Sequence, residues 1–399
     1  MKITMNRAEL LCAAQRAAAI APEDSPVEVL RGTLLEINAA AGKLILTATN
    51  LETMLEQRLD CAAAEDDSLV VDAKLLSGML ERLPGDMVEL TRRPGTPVLS
   101  LRGGQTGYDV SIWERGSFPK LEIPFPEDTV KVSGIPSMAR RIMFATSEDK
   151  DKPLMRCVNL MFTREGLKGA GYNGRCLVTA KGDDKSTGNT SLLLPANSLE
   201  RLAALCTDDD EFLVGIAGGY LVFMRQGLMY GALLMEGDYM DTDRLMNNIR
   251  NQFTVLTDVA DLRRALKVVA AVAPKGRVKL AFDRGRITFS CQGELGSASQ
   301  CLETAPLTGV PRGEYWYQIP DLMACLRSLS GTATLGIAQA GMLDLSTEGA
   351  YYMQTAMREP APVAAPVVVE EAPKAEPKKA VKKAKSTKAP KPKTAKKAA

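Results

Sequence analysis

Apolar positions recur with a helical period in three stretches of the chain that have a constant spacing. The apolar series begin at Leu76, Leu199 and Leu322, which are 123 residues apart each time. In each stretch the apolar residues fall at i, i+3, i+4 and i+7, which is the spacing of one face of an α-helix. The pattern therefore predicts three equivalent helices with these buried positions: Leu76, Met79, Leu80 and Leu83; Leu199, Leu202, Ala203 and Cys206; Leu322, Cys325, Leu326 and Leu329.

A further helix is predicted near the start of each unit. Asn6 precedes the first of these helices as an N-cap, with Glu9 three residues later in the capping-box position. The expected buried positions are Leu10, Ala14 and Ala17; Met138, Ile142 and Ala145; Leu262, Leu266 and Val269. Strand-like segments follow both helices in every unit. Three such units indicate a repeated α+β fold, in which two helices lie on one side of an antiparallel sheet.

Composition shifts divide the chain into units. The proline-rich segment SFPKLEIPFPEDT and the polar segment GDYMDTDRLMNNIRNQ separate the periodic regions. We therefore predict domains at 1–124, 128–247 and 250–359. Residues 360–399 are rich in Ala, Pro and Lys and lack aromatic residues. Such a composition cannot bury a core, so this segment is predicted to be a disordered tail.

Charge is distributed unevenly between these parts. The formal net charge is +2, but residues 361–399 contain 11 Lys and 3 Glu, which leaves −6 on residues 1–360. A basic tail on an acidic body suggests that the tail holds nucleic-acid phosphates. The alternative, a tail that only keeps the protein in solution, remains open.

Residue usage argues against catalysis. The chain has no histidine, which removes the commonest general base and any Ser-His or Cys-His pair. It contains no Walker loop, Rossmann glycine fingerprint, HExxH motif or EF-hand loop. The acidic runs at 65–67 and 208–210 are interpreted as surface turns rather than metal ligands, because turns favour Asp. We expect no enzyme activity, no metal and no cofactor.

The remaining composition favours a cytoplasmic protein. The sequence contains no run of about 18 apolar residues, so no membrane span is expected. The first residues lack the apolar core of a signal peptide. Eight cysteines are scattered without a CxxC motif. They are expected to be reduced and buried thiols.

Basic residues occupy the predicted helix faces that lie away from the apolar stripes. On the first helices these are Arg7, Arg16, Arg140, Arg141, Arg263, Arg264 and Lys267, and on the second helices Lys74, Arg82, Arg201 and Arg327. Taken singly, each is an ordinary solvated charge. As a set on an acidic body, they favour sequence-independent binding to the phosphate backbone of duplex DNA.

Several segments together resemble the bacterial β sliding clamp family, whose members are the processivity subunits of DNA polymerase III. The similar segments are MKITMNRAELLCAAQRAAAIAP, LLEINAAAGKLILTATNLE, GYNGRCLVTA, LLLPANSLERLAALC and YYMQTAMR, within residues 1 to about 358. The resemblance implies a homodimeric ring of six domains, lined by helices, that encircles DNA. It also implies a non-catalytic role in DNA replication, in which the ring tethers the polymerase catalytic subunit and is loaded by a clamp loader.

The resemblance further implies a partner-peptide groove between the second and third domains. Its residues would be Tyr172, Gly174, Arg175, Leu177, Met240, Arg244, Leu245, Met353, Thr355 and Met357. Three segments depart from the family pattern. The usual Asp-Gly-His-Arg, Arg-Phe-Pro and Met-Pro-Met-Arg are replaced by the residues at 173–176, 238–240 and 355–358. The preferred peptide is therefore expected to differ.

One DNA contact of the family is also altered. A family arginine in the loop after the first helix is replaced by Asp24, whereas the corresponding loop of the second unit offers Lys150 and Lys152. We therefore expect weaker or shifted backbone contacts in the first unit. These departures leave a second function open, namely a diverged clamp paralogue that acts as a scaffold for DNA-repair or mobile-element partners.

Overall fold

Helices occur in three pairs in the structure, a computed structural model that describes residues 2–93, 95–119, 121–163, 166–182, 190–294 and 296–359. The predicted tail, 360–399, lies outside these residues. The pairs are α1 (Arg7–Ile20) with α2 (Ala73–Arg82), α3 (Ile135–Ile142) with α4 (Ala196–Ala204), and α6 (Val259–Ala270) with α7 (Ile319–Ser328), while α5 (Thr242–Asn247) lies before α6. Short 3-10 helices span Glu28–Arg31, Arg115–Ser117, Met143–Ala145, Pro153–Arg156 and Gln339–Gly341. The six paired helices are those that the apolar period predicts.

Local side-chain chemistry explains where the first helices begin. The Asn6 carboxamide oxygen accepts hydrogen bonds from the backbone N–H groups of Ala8 and Glu9, which confirms the predicted N-cap of α1. Asp258 caps α6 in the same way, through the N–H of Ala260. The corresponding position before α3 is Gly134, which has φ +68° and no side chain to accept such a bond. The first helix of the second pair therefore needs a cap from elsewhere in the chain.

One backbone hydrogen bond recurs in all three helix pairs. The N–H of Arg7 donates to the Asp86 carbonyl at 2.8 Å, that of Gly134 to Asp208 at 3.0 Å, and that of Val259 to Gly331 at 3.0 Å. Each bond joins the start of the first helix to the turn after the second helix. The three units that repeat in the sequence therefore also share the same backbone hydrogen bond.

All strands pair in antiparallel fashion, in four sheets. In sheet order, the first sheet contains β5 (Ala62–Ala63), β1 (Lys2–Asn6), β7 (Met87–Arg92), β8 (Val98–Gly103) and β9 (Thr106–Ser111). The second contains β10 (Trp113–Glu114), β6 (Asp67–Asp72), β2 (Gly32–Asn38), β3 (Lys43–Thr49), β4 (Thr53–Asp60), β18 (Leu228–Leu233), β17 (Tyr220–Arg225), β16 (Phe212–Ala217) and β11 (Val130–Val132).

The other two sheets contain the remaining strands. In order, the third has β15 (Thr190–Pro195), β12 (Cys157–Thr163), β13 (Gly166–Tyr172), β14 (Cys176–Lys181), β27 (Ala350–Gln354), β26 (Leu343–Thr347), β25 (Thr332–Ala338), β19 (Asn251–Asp258) and β23 (Ala305–Thr308). The fourth has β22 (Gly296–Glu303), β21 (Arg286–Gly293), β20 (Arg277–Asp283) and β24 (Arg312–Gln318).

Two of the sheets continue from one repeat into the next. β4 of the first repeat pairs with β18 of the second, with Leu55 opposite Tyr230. β14 of the second repeat pairs with β27 of the third, with Val178 opposite Tyr352. These four residues are fully buried. Each junction is therefore held both by strand pairing and by side chains packed in the core. In contrast, β9 in the first repeat and β22 in the third have one unpaired edge each among the described residues.

The buried core follows the predicted apolar faces, with one correction in α4. Of the residues predicted there, Leu199 and Leu202 are buried, but Ala203 and Cys206 are only half-buried. α4 ends at Ala204, and Leu205 turns into the core instead, because the chain leaves the helical register before Cys206. The period therefore predicted the helix correctly and its last two buried positions wrongly.

The two segments between the repeats are packed against the body. In the first segment, Ile123 is buried over β18, where a Cβ on Gly231 would lie only 2.3 Å from its side chain. In the second, the sequence predicted only a polar linker, but residues 242–247 form α5, capped by the Asp241 carboxylate through the N–H of Arg244. The described residues of both segments therefore pack on the repeats instead of forming extended linkers.

The cysteines and the helix lengths bear on the remaining expectations. All eight cysteines are free thiols, and four of them are buried as predicted. Cys61 and Cys206 are only half-buried, and the prediction is wrong for Cys12 and Cys301, which are exposed. Cys12 is exposed because it lies on the face of α1 opposite the buried Leu10, Ala13, Ala14 and Ala17, whereas Cys301 lies on the edge strand β22. Among the described residues, no helix combines the length and the apolar character that crossing a bilayer takes.

Candidate nucleic-acid interface and peptide-binding groove

The basic side chains of the first repeat are largely engaged by the protein itself. Arg7 is half-buried rather than fully exposed, and its guanidinium donates to the carbonyls of Gly85 at 2.7 Å and Leu80 at 3.0 Å. These carbonyls lie at and beyond the end of α2, so Arg7 acts as a cap for that helix. Arg16 is also half-buried on α1.

The two cations that α2 contributes have nearby acceptors as well. Lys74 forms an ion pair with Glu23, in the loop after α1. Arg82 donates to the carbonyl of Gly78 on its own helix at 2.5 Å. Because Asp24 follows Glu23 in this loop, the loop is acidic where the family pattern has an arginine. The first repeat therefore offers less free positive charge than its sequence suggests.

In the second repeat, Asp208 provides the cap that Gly134 cannot. Its carboxylate accepts from the N–H and the hydroxyl of Ser137, both at 2.7 Å, and from the guanidinium of Arg140 at 2.8 Å. Burial opposes ionisation of Asp208, but these hydrogen bonds and the Arg140 charge outweigh it and lower the pKa of the carboxyl. Arg140 is thus exposed but paired.

The other cations of the second repeat have different surroundings. Arg141 is half-buried and its guanidinium lies 3.5 Å from the Lys181 carbonyl. Arg201 is also half-buried, 3.5 Å from the Thr53 hydroxyl of the first repeat, so it contributes to the junction between two repeats. In the loop after α3, Lys152 pairs with Asp149 at 3.4 Å, whereas Lys150 is exposed and makes no ion pair with a described residue.

The third repeat presents its basic side chains most freely. Arg263, Lys267 and Arg327 are exposed, and none of them forms an ion pair within the described part of the chain. Arg264 pairs only with Asp261, one turn earlier on the same helix, at 3.1 Å. Because exposed pairs of this kind are weak, Arg264 is also accessible to a competing anion.

The apolar part of the predicted groove is a cross-strand row at the junction between the second and third repeats. Tyr172 lies opposite Leu177 in the β13–β14 pair, and Leu177 lies opposite Met353 in the β14–β27 pair. Leu177 and Met353 are buried, and Tyr172 is half-buried. Residues next to them, such as Val178 and Tyr352, point into the main core, so this row lies on the other face of the sheet.

The polar end of this row is a turn that joins the two repeats. Gly174 has φ +91°, a conformation that favours glycine, and the Asn173 carboxamide accepts from the N–H groups of Arg175 and Cys176. The Arg175 carbonyl accepts from the N–H of Thr355 at 3.0 Å and from its hydroxyl at 3.2 Å. Met357 follows as a half-buried residue, bonded through its N–H to the Trp316 carbonyl at 2.7 Å.

The linker residues of the predicted groove are held near the same sheet by α5. Lys168 on β13 binds the carboxylate of Asp243 at 2.6 Å, and the Thr179 hydroxyl on β14 contacts the sulfur of Met246 at 3.5 Å. Met240 and Leu245 are half-buried, and Arg244 is exposed. The structure therefore places α5 against β13 and β14, the two strands that carry Tyr172 and Leu177.

Sequence reasoning missed the carboxylates that hold these cations. Asp321, in the first turn of α7, binds Arg175 through two nitrogen–oxygen contacts of 2.9 and 3.3 Å. Asp208 holds Arg140 as described above. These partners are 146 and 68 residues away in the chain, so no local pattern links them. Cys176, where the family pattern has an arginine, is buried, and burial raises the pKa of its thiol to about 12.

Comparison with known proteins gives one consistent similarity. Residues 1–122 match the family model of the DNA polymerase III beta subunit, N-terminal domain. A relative named beta sliding clamp, from Synechococcus elongatus, is 24% identical over 345 residues, which cover 83% of this chain and 91% of the relative. The beta sliding clamp of Streptomyces coelicolor is 24% identical over 298 residues, with 71% and 77% covered.

Solved structures show the same fold over the body of the chain. A putative DNA polymerase III beta subunit from Eubacterium rectale superposes with a TM-score of 0.83 at 15% identity, covering 90% of this chain and 100% of that one. The DNA polymerase III beta subunit of Pseudomonas aeruginosa superposes with a TM-score of 0.81 at 18% identity and the same coverage.

Proposed function

We propose that this chain, which is similar over most of its length to the beta sliding clamps, the DNA polymerase III beta subunits, is itself a DNA sliding clamp. In this role two copies form a ring around duplex DNA and tether the replicative polymerase for processive synthesis. Tethering raises the local concentration of the polymerase without making or breaking a bond, so no catalytic group is required. The relatives that span most of the chain bear the name beta sliding clamp, and none favours the alternative of a diverged scaffold.

One observation carries the proposal of a ring. The sheets run without a break across both junctions between repeats, while β9 of the first repeat and β22 of the third keep an unpaired edge among the described residues. An open edge is a site for pairing with another chain. If β9 of one copy pairs with β22 of another, and the reverse, the two contacts close the pair of copies and cover both of these edges.

Exposed apolar side chains on the first and third repeats support such a contact. Leu75 on α2 in the first repeat is 48% exposed, and Val268 on α6 in the third repeat is 46% exposed. Val310, which follows β23, is 72% exposed. Apolar groups that remain in water on a folded monomer are typical of surfaces that become buried in an assembly.

We assign the three helix pairs to three domains, 1–124, 128–247 and 250–359, and their basic faces to DNA. Phosphate contacts of this kind hold the backbone without reading bases. In this assignment the third repeat contributes most through Arg263, Arg264, Lys267 and Arg327, and the second repeat contributes through Lys150 and the displaceable Arg140. The first repeat contributes least, because Arg7 and Lys74 are occupied internally.

The row Tyr172–Leu177–Met353, with α5 beside it and Thr355 at its end, is proposed as the site for peptides of the polymerase catalytic subunit and the clamp loader. Leu177 and Met353 form a buried floor, whereas Tyr172, Met240 and Leu245 are only half-buried. Their apolar surface, with the exposed Arg175 and Arg244, fits a short peptide with apolar anchors. The replaced residues at 173–176, 238–240 and 355–358 favour a peptide that differs from the family's usual one.

Light scattering combined with particle images tests the ring. At micromolar concentration the full chain is expected to have twice the monomer mass and to show closed particles with a central hole. A monomer that forms no ring under these conditions would contradict the proposal. One variant tests whether the β22 edge forms the contact. Ser299→Pro removes a backbone N–H that faces away from β21, and it is expected to yield monomer.

A further inference from the structure

The two arginines of the predicted groove are held very differently. Arg175 forms a bidentate ion pair with Asp321, whose side chain is only 10% exposed. Arg244 is exposed on α5, and its guanidinium forms no hydrogen bond or ion pair with the described residues. The sequence alone presents them as two equivalent cations.

The turn that carries Arg175 is fixed on three sides. Asn173 closes the turn from within, and Thr355 binds the Arg175 carbonyl from the end of the third repeat. Asp321 holds the guanidinium from α7, and this hydrogen bond raises the pKa of Arg175. Arg175 therefore joins the second repeat to two parts of the third, namely α7 through Asp321 and the segment after β27 through Thr355.

This arrangement has a consequence for any acidic ligand. Bidentate guanidinium–carboxylate pairs are among the strongest charge-assisted contacts, and Asp321 is already placed and largely desolvated. The Arg175 side chain is 56% exposed, so a ligand carboxylate can approach its open side, but there it meets a cation that Asp321 already neutralises and is repelled by the Asp321 charge. Arg244 has no carboxylate bound to it among the described residues, so an acidic group of a ligand can pair with its full charge.

We propose that Asp321 sequesters Arg175, so that the groove selects apolar peptides with a single acidic group directed to Arg244 and gains nothing from a second acidic group. The inference rests on the proposed peptide groove and names its specificity. Asp321 and Arg175 are positioning residues in this account, whereas Arg244 contacts the ligand.

The test uses the full chain and blocked hexapeptides of alanine, leucine and phenylalanine that carry no aspartate, one aspartate or two. Binding is measured by titration across a salt series. In the wild type, the first aspartate is expected to raise affinity and the second to add less than about twofold. In Asp321→Asn the freed Arg175 is expected to bind the second aspartate, with a gain of roughly fivefold that salt suppresses.

Matched variants separate this effect from others. Glu348→Gln removes one negative charge from the exposed turn between β26 and β27 without freeing an arginine, and is expected to leave the second aspartate without effect. Arg175→Gln combined with Asp321→Asn is expected to abolish the gain. If Asp321→Asn does not fold, Arg244→Gln and Arg175→Gln decide the point, because only Arg244→Gln should lower the preference for the peptide with one aspartate.

The outcomes distinguish this inference from the proposed function. A gain of affinity in Asp321→Asn supports sequestration, since a merely structural defect would weaken binding. Equal loss of the aspartate preference in Arg175→Gln and Arg244→Gln overturns the inference while the groove stands. If no peptide binds the wild type or any variant, both the groove and its inferred specificity are rejected.

Discussion

The helix pair of the first repeat and the helix pair of the third share a backbone arrangement but present different charge. Both pairs have a side-chain N-cap, from Asn6 and Asp258, and both have the hydrogen bond that joins the first helix to the turn after the second. In the first repeat, Arg7 is bound to carbonyl groups and Lys74 to Glu23. In the third, Arg263 and Lys267 are exposed without an ion pair to the described residues.

This difference teaches that the number of basic residues on a helix does not measure the charge available to a ligand. Availability depends on whether the fold supplies a closer acceptor. Arg7 stabilises the end of α2, so removing it should affect folding, whereas Arg263 contacts little and its removal should affect only binding. The two repeats therefore divide structural and binding roles between residues that look alike in the sequence.

The largest expected effect is on DNA binding by the third repeat. We expect Arg263→Gln combined with Lys267→Gln to lower the slope of log affinity against log salt by about 2, because each neutralised phosphate contact contributes about 0.9. Fluorescence anisotropy with duplex DNA measures the slope. The matched control is Arg7→Gln combined with Lys74→Gln in the first repeat, which should change the slope by less than about 1. Equal changes in the two double variants would contradict the comparison.

A smaller effect is expected on stability in the first repeat. Arg7→Ala leaves the carbonyls of Leu80 and Gly85 without their charged donor and should lower the free energy of unfolding by about 1–2 kcal/mol. Arg263→Ala, at an exposed site, should change it by less than about 0.5 kcal/mol. Urea denaturation of both variants checks this. Comparable losses would show that Arg7 has no special structural role.

In the second repeat, Arg140 is exposed but paired with Asp208, so this repeat lies between the other two in available charge. The expected change in the free energy of unfolding is the smallest of the three effects. Asp208→Asn keeps one acceptor for the cap of α3 but removes the carboxylate charge that holds Arg140 and faces the start of the helix, which should cost about 0.5–1 kcal/mol at neutral pH. Because the pKa of Asp208 is lowered in the folded state, this stabilisation is present above the ordinary pKa of Asp and is lost as pH falls through the folded value. The stability difference between wild type and variant should therefore shrink in acid, as urea titrations from pH 7 to pH 3 would show. A constant difference across this range would refute the assignment.

Much of the fold could be predicted from the sequence because local rules govern it. The period that begins at Leu76 and recurs at Leu199 and Leu322 identified three helices, and Asn6 marked the start of α1. The rule failed at Cys206, because the period does not show where α4 ends. It also gave no sign of α5, a short helix whose position depends on Lys168 and Thr179 in distant strands.

The candidate site could be predicted only in part, because its properties depend on long-range pairs. Resemblance to a family located Arg175 and Met353, and the structure brings the segments that contain them together. The sequence could not show that Asp321 holds Arg175 or that Asp208 holds Arg140. A carboxylate far away in the chain decides whether each arginine is free, and only the folded structure reveals it.

The central claim is that the protein encircles DNA, and a topological experiment tests it most directly. The full chain is loaded by a clamp loader onto nicked circular duplex DNA, isolated with the DNA by gel filtration, and then treated with an enzyme that cuts the circle once. A protein that encircles DNA is expected to stay on the intact circles and to leave the DNA after linearisation. Retention on the linear DNA, or failure to remain on the circles, would contradict it.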